Sequence, residues 1–205
     1  MLWSALRAVT RRMLDDPDGQ KWDNTDLLDY VNMALRDVSL HLPAPRVSSY
    51  GASASTYTLP ADLLRVRTVF REGSQVSGFD YNSPNPWSST GGRTAAAYYY
   101  LIDNPSEGQI SFNQTVPTVW QLHYWGYRNP VVDDSSVVDV GSMQFLWDAL
   151  AFYICYLAHL NLSVNRANLE QYSERPENMV GNPLEQEALL WLGQYQRLIT
   201  EGRPR

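Results

Sequence analysis

Apolar positions along the 205-residue chain fall into three successive rhythms. Leu2, Leu6, Val9 and Met13 recur at spacings of four, three and four. That is one face of a 3.6-residue period, and it predicts a first helix ending at Asp15-Asp16-Pro17-Asp18-Gly19. Leu27, Val31, Leu35, Val38 and Leu42 predict a second helix. Asn24 or Thr25 caps it, Asp26 and Asp29 suit its positive end, and Pro43 and Pro45 stop it.

The middle of the chain changes period. Tyr57-Thr58-Leu59-Pro60 reads as extended, and Leu64, Val66, Thr68 and Phe70 alternate with Arg65, Arg67 and Arg71, as in a half-buried strand. Residues 73–94 are rich in Gly, Ser, Pro and Asn without periodicity, which predicts a long loop; its Phe79, Tyr81 and Trp87 imply that it orders against something. Strands resume at 97–102, 109–113 and 119–127. The last places Trp120, Leu122 and Tyr124 on one face and His123, Trp125 and Tyr127 on the other. Four or five antiparallel strands make a small sandwich or barrel.

Helical periodicity then returns. Ser142 is placed to cap a helix running to about Asn161 and apolar nearly all round, which marks a central helix. A shorter helix is predicted over Val164 to Tyr172. Asn182-Pro183-Leu184-Glu185 is a clean helix start, followed by the stripe Leu184, Ala188, Trp191, Tyr195 and Leu198. The expected fold is α+β: a helical bundle from residues 1–45 and 140–205, with residues 46–139 inserted as a small antiparallel β-sandwich or barrel lobe.

Composition narrows the function. At 44% hydrophobic and 12% aromatic the chain is not a disordered one. With 22 acidic against 16 basic residues the net charge is −6, which argues against a general nucleic-acid binder. One cysteine, Cys155, excludes an internal disulfide framework. Arg7, Arg11 and Arg12 interrupt the N-terminal apolar residues, and the longest apolar run, Ala149 to Ala158, is half the ~20 residues that span a bilayer. The expectation is a soluble protein made in the cytoplasm.

Catalytic and metal motifs are weak. Around Gly19 a calcium loop would need carboxylates at Leu14 and Thr25, so that turn reads as solvated. Cys155 and His159 share a helical face but are too few for a metal site, and are expected in the core. Asp133, Asp134 and Asp139 lie in a polar linker and read as solvated charges. No nucleophile elbow, phosphate-binding glycine loop or zinc-protease motif occurs, so no enzyme and no cofactor is expected. The aromatic strand reads as core or subunit interface; Trp120, Trp125 and Tyr127 leave a carbohydrate- or ligand-binding module as the alternative.

Two motifs in order carry a family resemblance. The helix Leu27-Leu28-Asp29-Tyr30-Val31-Asn32-Met33-Ala34-Leu35-Arg36 is followed by Tyr57-Thr58-Leu59-Pro60-Ala61-Asp62-Leu63-Leu64-Arg65-Val66. The strand end Tyr124-Trp125-Gly126-Tyr127-Arg128-Asn129-Pro130 and the helix after Asp139 continue the series. Together they resemble the head-to-tail adaptor (connector) proteins of tailed bacteriophages, with the 73–94 loop the least matched part. The resemblance implies a homo-oligomeric ring of about twelve copies beneath the portal protein, whose lumen passes double-stranded DNA without gripping it. It implies a virion protein at the head–tail junction, assembled in the host cytoplasm, with the portal and a tail nozzle or tube protein as partners. The bundle would form the ring. Trp191, Tyr195, Arg197, Arg203 and Arg205 become candidates for portal contact, and Phe79, Tyr81, Trp87 and Arg93 for contacts with subunits or tail.

Overall fold

The computed structural model describes residues 2–51, 56–71, 74–78, 98–102, 108–112, 119–170 and 183–202. Among them run α1 (Trp3–Met13), α2 (Asn24–His41), β1 (Ala44–Tyr50), β2 (Thr56–Thr58), β3 (Leu63–Arg71), β4 (Ser74–Gly78), β5 (Tyr98–Ile102), β6 (Gln109–Phe112), β7 (Trp120–Gly126), α3 (Leu146–Glu170) and α4 (Pro183–Glu201). The fold is α+β, as the changing period requires. Two compact units divide it: Met1–Leu42 with Arg128–Arg205, and Pro43–Tyr127 between them.

The helical unit centres on α3. Leu146, Ala149, Leu150, Ile154, Cys155 and Ala158 are buried, and Leu27, Val31, Ala34, Leu35 and Val38 of α2 join the same core. Asp23 caps α2, its carboxylate accepting the Asp26 N–H at 2.8 Å, one residue before Asn24 and two before Thr25, the expected caps. The buried positions of α1 are Trp3, Leu6 and Thr10, whereas Leu2 and Val9 are exposed. The inward face is thus shifted by about one residue, because Trp3 brings the most apolar area and Thr10 satisfies its hydroxyl on the Leu6 carbonyl at 3.0 Å. The two predicted helices over 142–172 are one, Leu146–Glu170. Between them no Gly or Pro intervenes, and Asn161 donates from its side chain to the Tyr30 hydroxyl at 2.6 Å in mid-helix.

Residues 128–139 group with the helices rather than with the lobe. Val131 and Val138 enter the helical core, and the Trp3 N–H donates to the Ser136 carbonyl at 2.9 Å. The Arg128 side chain is buried; it donates to the carbonyls of Leu42 and Asp139, both at 2.8 Å.

In the sheet unit the strand order is β1-β7-β3-β4-β5-β6-β2. The pairings are antiparallel, as expected, apart from a short parallel pairing of β4 with β5. β4 also falls inside the stretch read as loop; the rest of that stretch lies outside the described residues. The outermost strands in the order meet through side chains, the Tyr50 and Tyr57 rings being 5.0 Å apart. Val69, Ile110, Trp120, Leu122 and Tyr124 form the core of this unit. Trp120, Leu122 and Tyr124 thus share the inner face, as the alternation predicts. In β3 the register shifts between Leu63 and Arg65 and again between Val66 and Thr68. These bulges put Val69 inside and leave Phe70 against His123, with ring centres 4.8 Å apart, opposite to simple alternation.

Candidate functional site

The C-terminal helix carries three of the residues singled out for partner contact. Two of them anchor it to the bundle. Trp191 is partly buried and stacks on Phe152, ring centres 5.6 Å apart. Tyr195 is buried, sets its edge against Tyr153 at 4.7 Å and donates its hydroxyl to the Asp37 carboxylate. Burial first, then the hydrogen bond to Asp37, raises the Tyr195 phenol far above its ordinary range, so it stays a neutral donor. Arg197 lies on the exposed side. Arg203 and Arg205 lie outside the described residues.

The exposed side of α4 also carries Leu189 and Leu190, 57% and 60% exposed, which the sequence reading passed over. The signal was present: both fall off the helix's own buried stripe. On α2, Met33 and Leu40 are likewise 53% and 59% exposed. The helical unit therefore presents apolar side chains to solvent on two helices whose opposite faces are buried.

The turn after α1 is not merely solvated. Asp16 is buried, and its carboxylate accepts the backbone N–H groups of Gln20, Lys21 and Trp22 at 2.7, 3.1 and 3.2 Å. Arg11 completes the cluster, donating to the Asp16 carboxylate at 3.0 Å, the Trp22 carbonyl at 3.1 Å and Asn24 at 2.9 Å. Burial pushes the Asp16 carboxyl up, but these N–H donors and the Arg11 charge outweigh it and hold it below the usual carboxylate value. Gly19 has φ +69°, and a Cβ there would sit 2.8 Å from the Arg11 guanidinium. Beside this turn lies an open groove of about 650 Å³ lined by Arg7, Arg11 and Arg12 and by Asp18 and Asp23. Arg7 is held by Asp134 through bonds of 2.6 and 2.9 Å, so the groove's charges are largely engaged within the chain.

In the sheet unit, Asp62 of the Leu-Pro-x-Asp motif is the polar hub. It accepts the Tyr124 hydroxyl at 2.9 Å, its backbone carbonyl accepts the Tyr127 N–H at 2.8 Å, and Arg46 stands 3.7 Å from its carboxylate. Gly126 is required beside it, since a Cβ would lie 2.9 Å from the Asp62 carboxylate. Trp120, one of the residues proposed for sugar binding, is buried in the core, and Trp125 is covered by the Arg67 guanidinium 5.4 Å from its ring centre. Phe79, Tyr81, Trp87 and Arg93 lie outside the described residues.

Among the candidates for chemistry, Cys155 and His159 are both buried. Burial, helped by Glu187, pushes the Cys155 thiol up to about 12. Asp133 accepts the hydroxyls of Ser135 and Ser136 at 2.8 and 2.9 Å, Asp134 holds Arg7, and Asp139 accepts the Asn129 N–H at 3.0 Å. These carboxylates shape the 128–139 segment rather than converge on a common point. Among the described residues no cluster of three or more His, Cys, Asp or Glu is arranged for a metal ion, and no helix is long and apolar enough to cross a membrane.

An α+β chain with a helical unit, an inserted sheet unit and exposed apolar helix faces has the make-up of a structural assembly protein. The comparisons give the class a name: the model of the SU10 adaptor protein family matches residues 1–203. The chain belongs to that family, a phage head-to-tail adaptor family, and is a structural component of the virion that joins portal and tail components. No curated protein is matched by the sequence.

Proposed function

We propose that this chain assembles into a closed ring of about twelve copies between the portal and the tail, and that double-stranded DNA passes through its lumen during packaging and ejection. The observation that carries this reading is the family match across nearly the whole chain, both units included. The charge supports it: about twelve copies at −6 each give a strongly negative assembly, which repels phosphates and lets DNA slide rather than stick. The helical unit is the ring-forming and portal-facing part. In it Trp191 and Tyr195 hold α4 in place, and Arg203 and Arg205, beyond it, meet the portal. The sheet unit faces the next tail component, with Phe79, Tyr81, Trp87 and Arg93 as contacts. Assembly takes place in the host cytoplasm.

Negative-stain electron microscopy of the purified chain, alone and mixed with its portal protein, tests this. Rings, or portals capped by an added ring, are expected. A chain that neither oligomerises nor binds the portal overturns the reading.

A further inference from the structure

A head-to-tail ring needs two different patches on each copy, one fitting the other, because its interface does not repeat the same surface. The helical unit carries two exposed helix faces of matching period. On α2, Asp29, Met33, Arg36 and Leu40 follow one another at spacings of four, three and four, all on the side opposite the buried Val31 and Val38. On α4, Gln186, Leu190, Gly193 and Arg197 repeat those spacings opposite the buried Ala188 and Tyr195.

Gly193 is the unexplained residue in this set. In mid-helix, glycine is less favourable than alanine. Among the described residues nothing asks for it: beyond its own helix's backbone, a Cβ at Gly193 would meet no atom within 4 Å. Such a notch in an exposed helix face leaves room for a side chain of another copy.

We infer that the α2 face of one copy packs antiparallel on the α4 face of a second copy, with Met33 seated over Gly193 and Asp29 paired with Arg197. The spacings bring these residues level in one register. Antiparallel alignment puts Asp29 opposite Arg197 and Met33 opposite Gly193; Leu190 then falls level with Arg36, between Met33 and Leu40, and the three apolar side chains, each more than half exposed in the single chain, lie beside one another. Parallel alignment in the same register instead brings Arg36 within a turn of Arg197 and sets Leu40 against that charge. The Asp29–Arg197 pair, available only in the antiparallel alignment, therefore selects the direction. This contact rests on the ring reading above and specifies how neighbouring copies meet.

Cysteine cross-linking tests it on the full chain, since Cys155 is buried and its thiol is not expected to take part. The double variant M33C/G193C, oxidised at high protein concentration with and without portal protein, is expected to give a ladder of linked multimers. M33C and G193C alone are expected to stay monomeric on the same gel. Adding R197E is expected to reduce the ladder about tenfold, and D29R together with R197E to restore it. Dimers from either single variant, a link closed within one chain, or no ladder with portal present would overturn the contact. Microscopy of the cysteine-free-surface parent separates the two readings: portal-capping rings that R197E leaves intact sink this interface and leave the adaptor function standing.

Discussion

The two units solve the problem of stability differently. The helical unit buries a continuous apolar core that draws on all four helices and on Val131, Val138 and Val140 of the connecting segment. In the sheet unit the core among the described residues is Val69, Ile110, Trp120, Leu122 and Tyr124, supplemented by the polar hub at Asp62. A thin core makes a unit depend more on hydrogen bonds and on neighbours in an assembly. The bundle is therefore expected to be the stable part of the free chain, and the sheet unit the part whose stability rises when it is assembled.

Core truncations probe that contrast most strongly. Leu150→Ala is expected to cost about 3–5 kcal/mol and to lower the denaturant midpoint of the helical unit. Ile110→Ala is expected to cost about 2–4 kcal/mol. Amide exchange should show its loss of protection confined to the sheet unit, with α2 and α3 unchanged; a global loss would contradict the division. Next comes the turn behind α1. Asp16→Asn keeps the shape but removes the charge facing Arg11, with an expected cost of about 2–3 kcal/mol in urea unfolding. The native Asp16 carboxyl titrates below its unfolded value, so its contribution is complete at neutral pH and disappears as the pH falls below about 4. The wild type should lose stability over that acid range more steeply than Asp16→Asn.

Smaller effects sharpen the comparison. Asp62→Asn weakens the Tyr124 and Arg46 interactions and should cost about 1 kcal/mol, read as a lower melting temperature of the sheet unit alone. Gly193→Ala should move the other way, stabilising the isolated chain by about 0.5–1 kcal/mol, because the space for its methyl is open. A destabilised helical unit would show that the glycine serves the fold itself.

Much of this was legible in the sequence, and the misses have physical causes. The α2 stripe was read correctly because its apolar residues belong to one uninterrupted period and all are buried. The inner face of β7 was equally clear. β1 was missed because Ala44–Tyr50 lacks alternating apolar residues; it is the first strand in the order, where Pro45 removes no ladder bond that the sheet cannot spare. The two bulges in β3 could not be seen in a pattern that alternates convincingly through them. Asp16 looked solvated because its partners are backbone N–H groups, which leave no trace in side-chain identity. For partner contact, sequence reasoning selected the aromatic residues of α4, and those proved to be its anchors. The exposed leucines, less conspicuous by type, are recognised only once the buried face is known.

The staple formed by Arg128 bears on how such a chain diversifies. Its guanidinium ties the residue after the sheet unit to the carbonyl of Leu42, the residue before it, while within the sheet unit Ala44 pairs with Gly126. The chain thus leaves the bundle and returns to it at neighbouring points. Lengthening what lies between two ends that are already pinned adds little closure entropy to the helical unit. The inserted module is a cartridge: evolution can lengthen, trim or exchange it while the bundle that receives it stays the same.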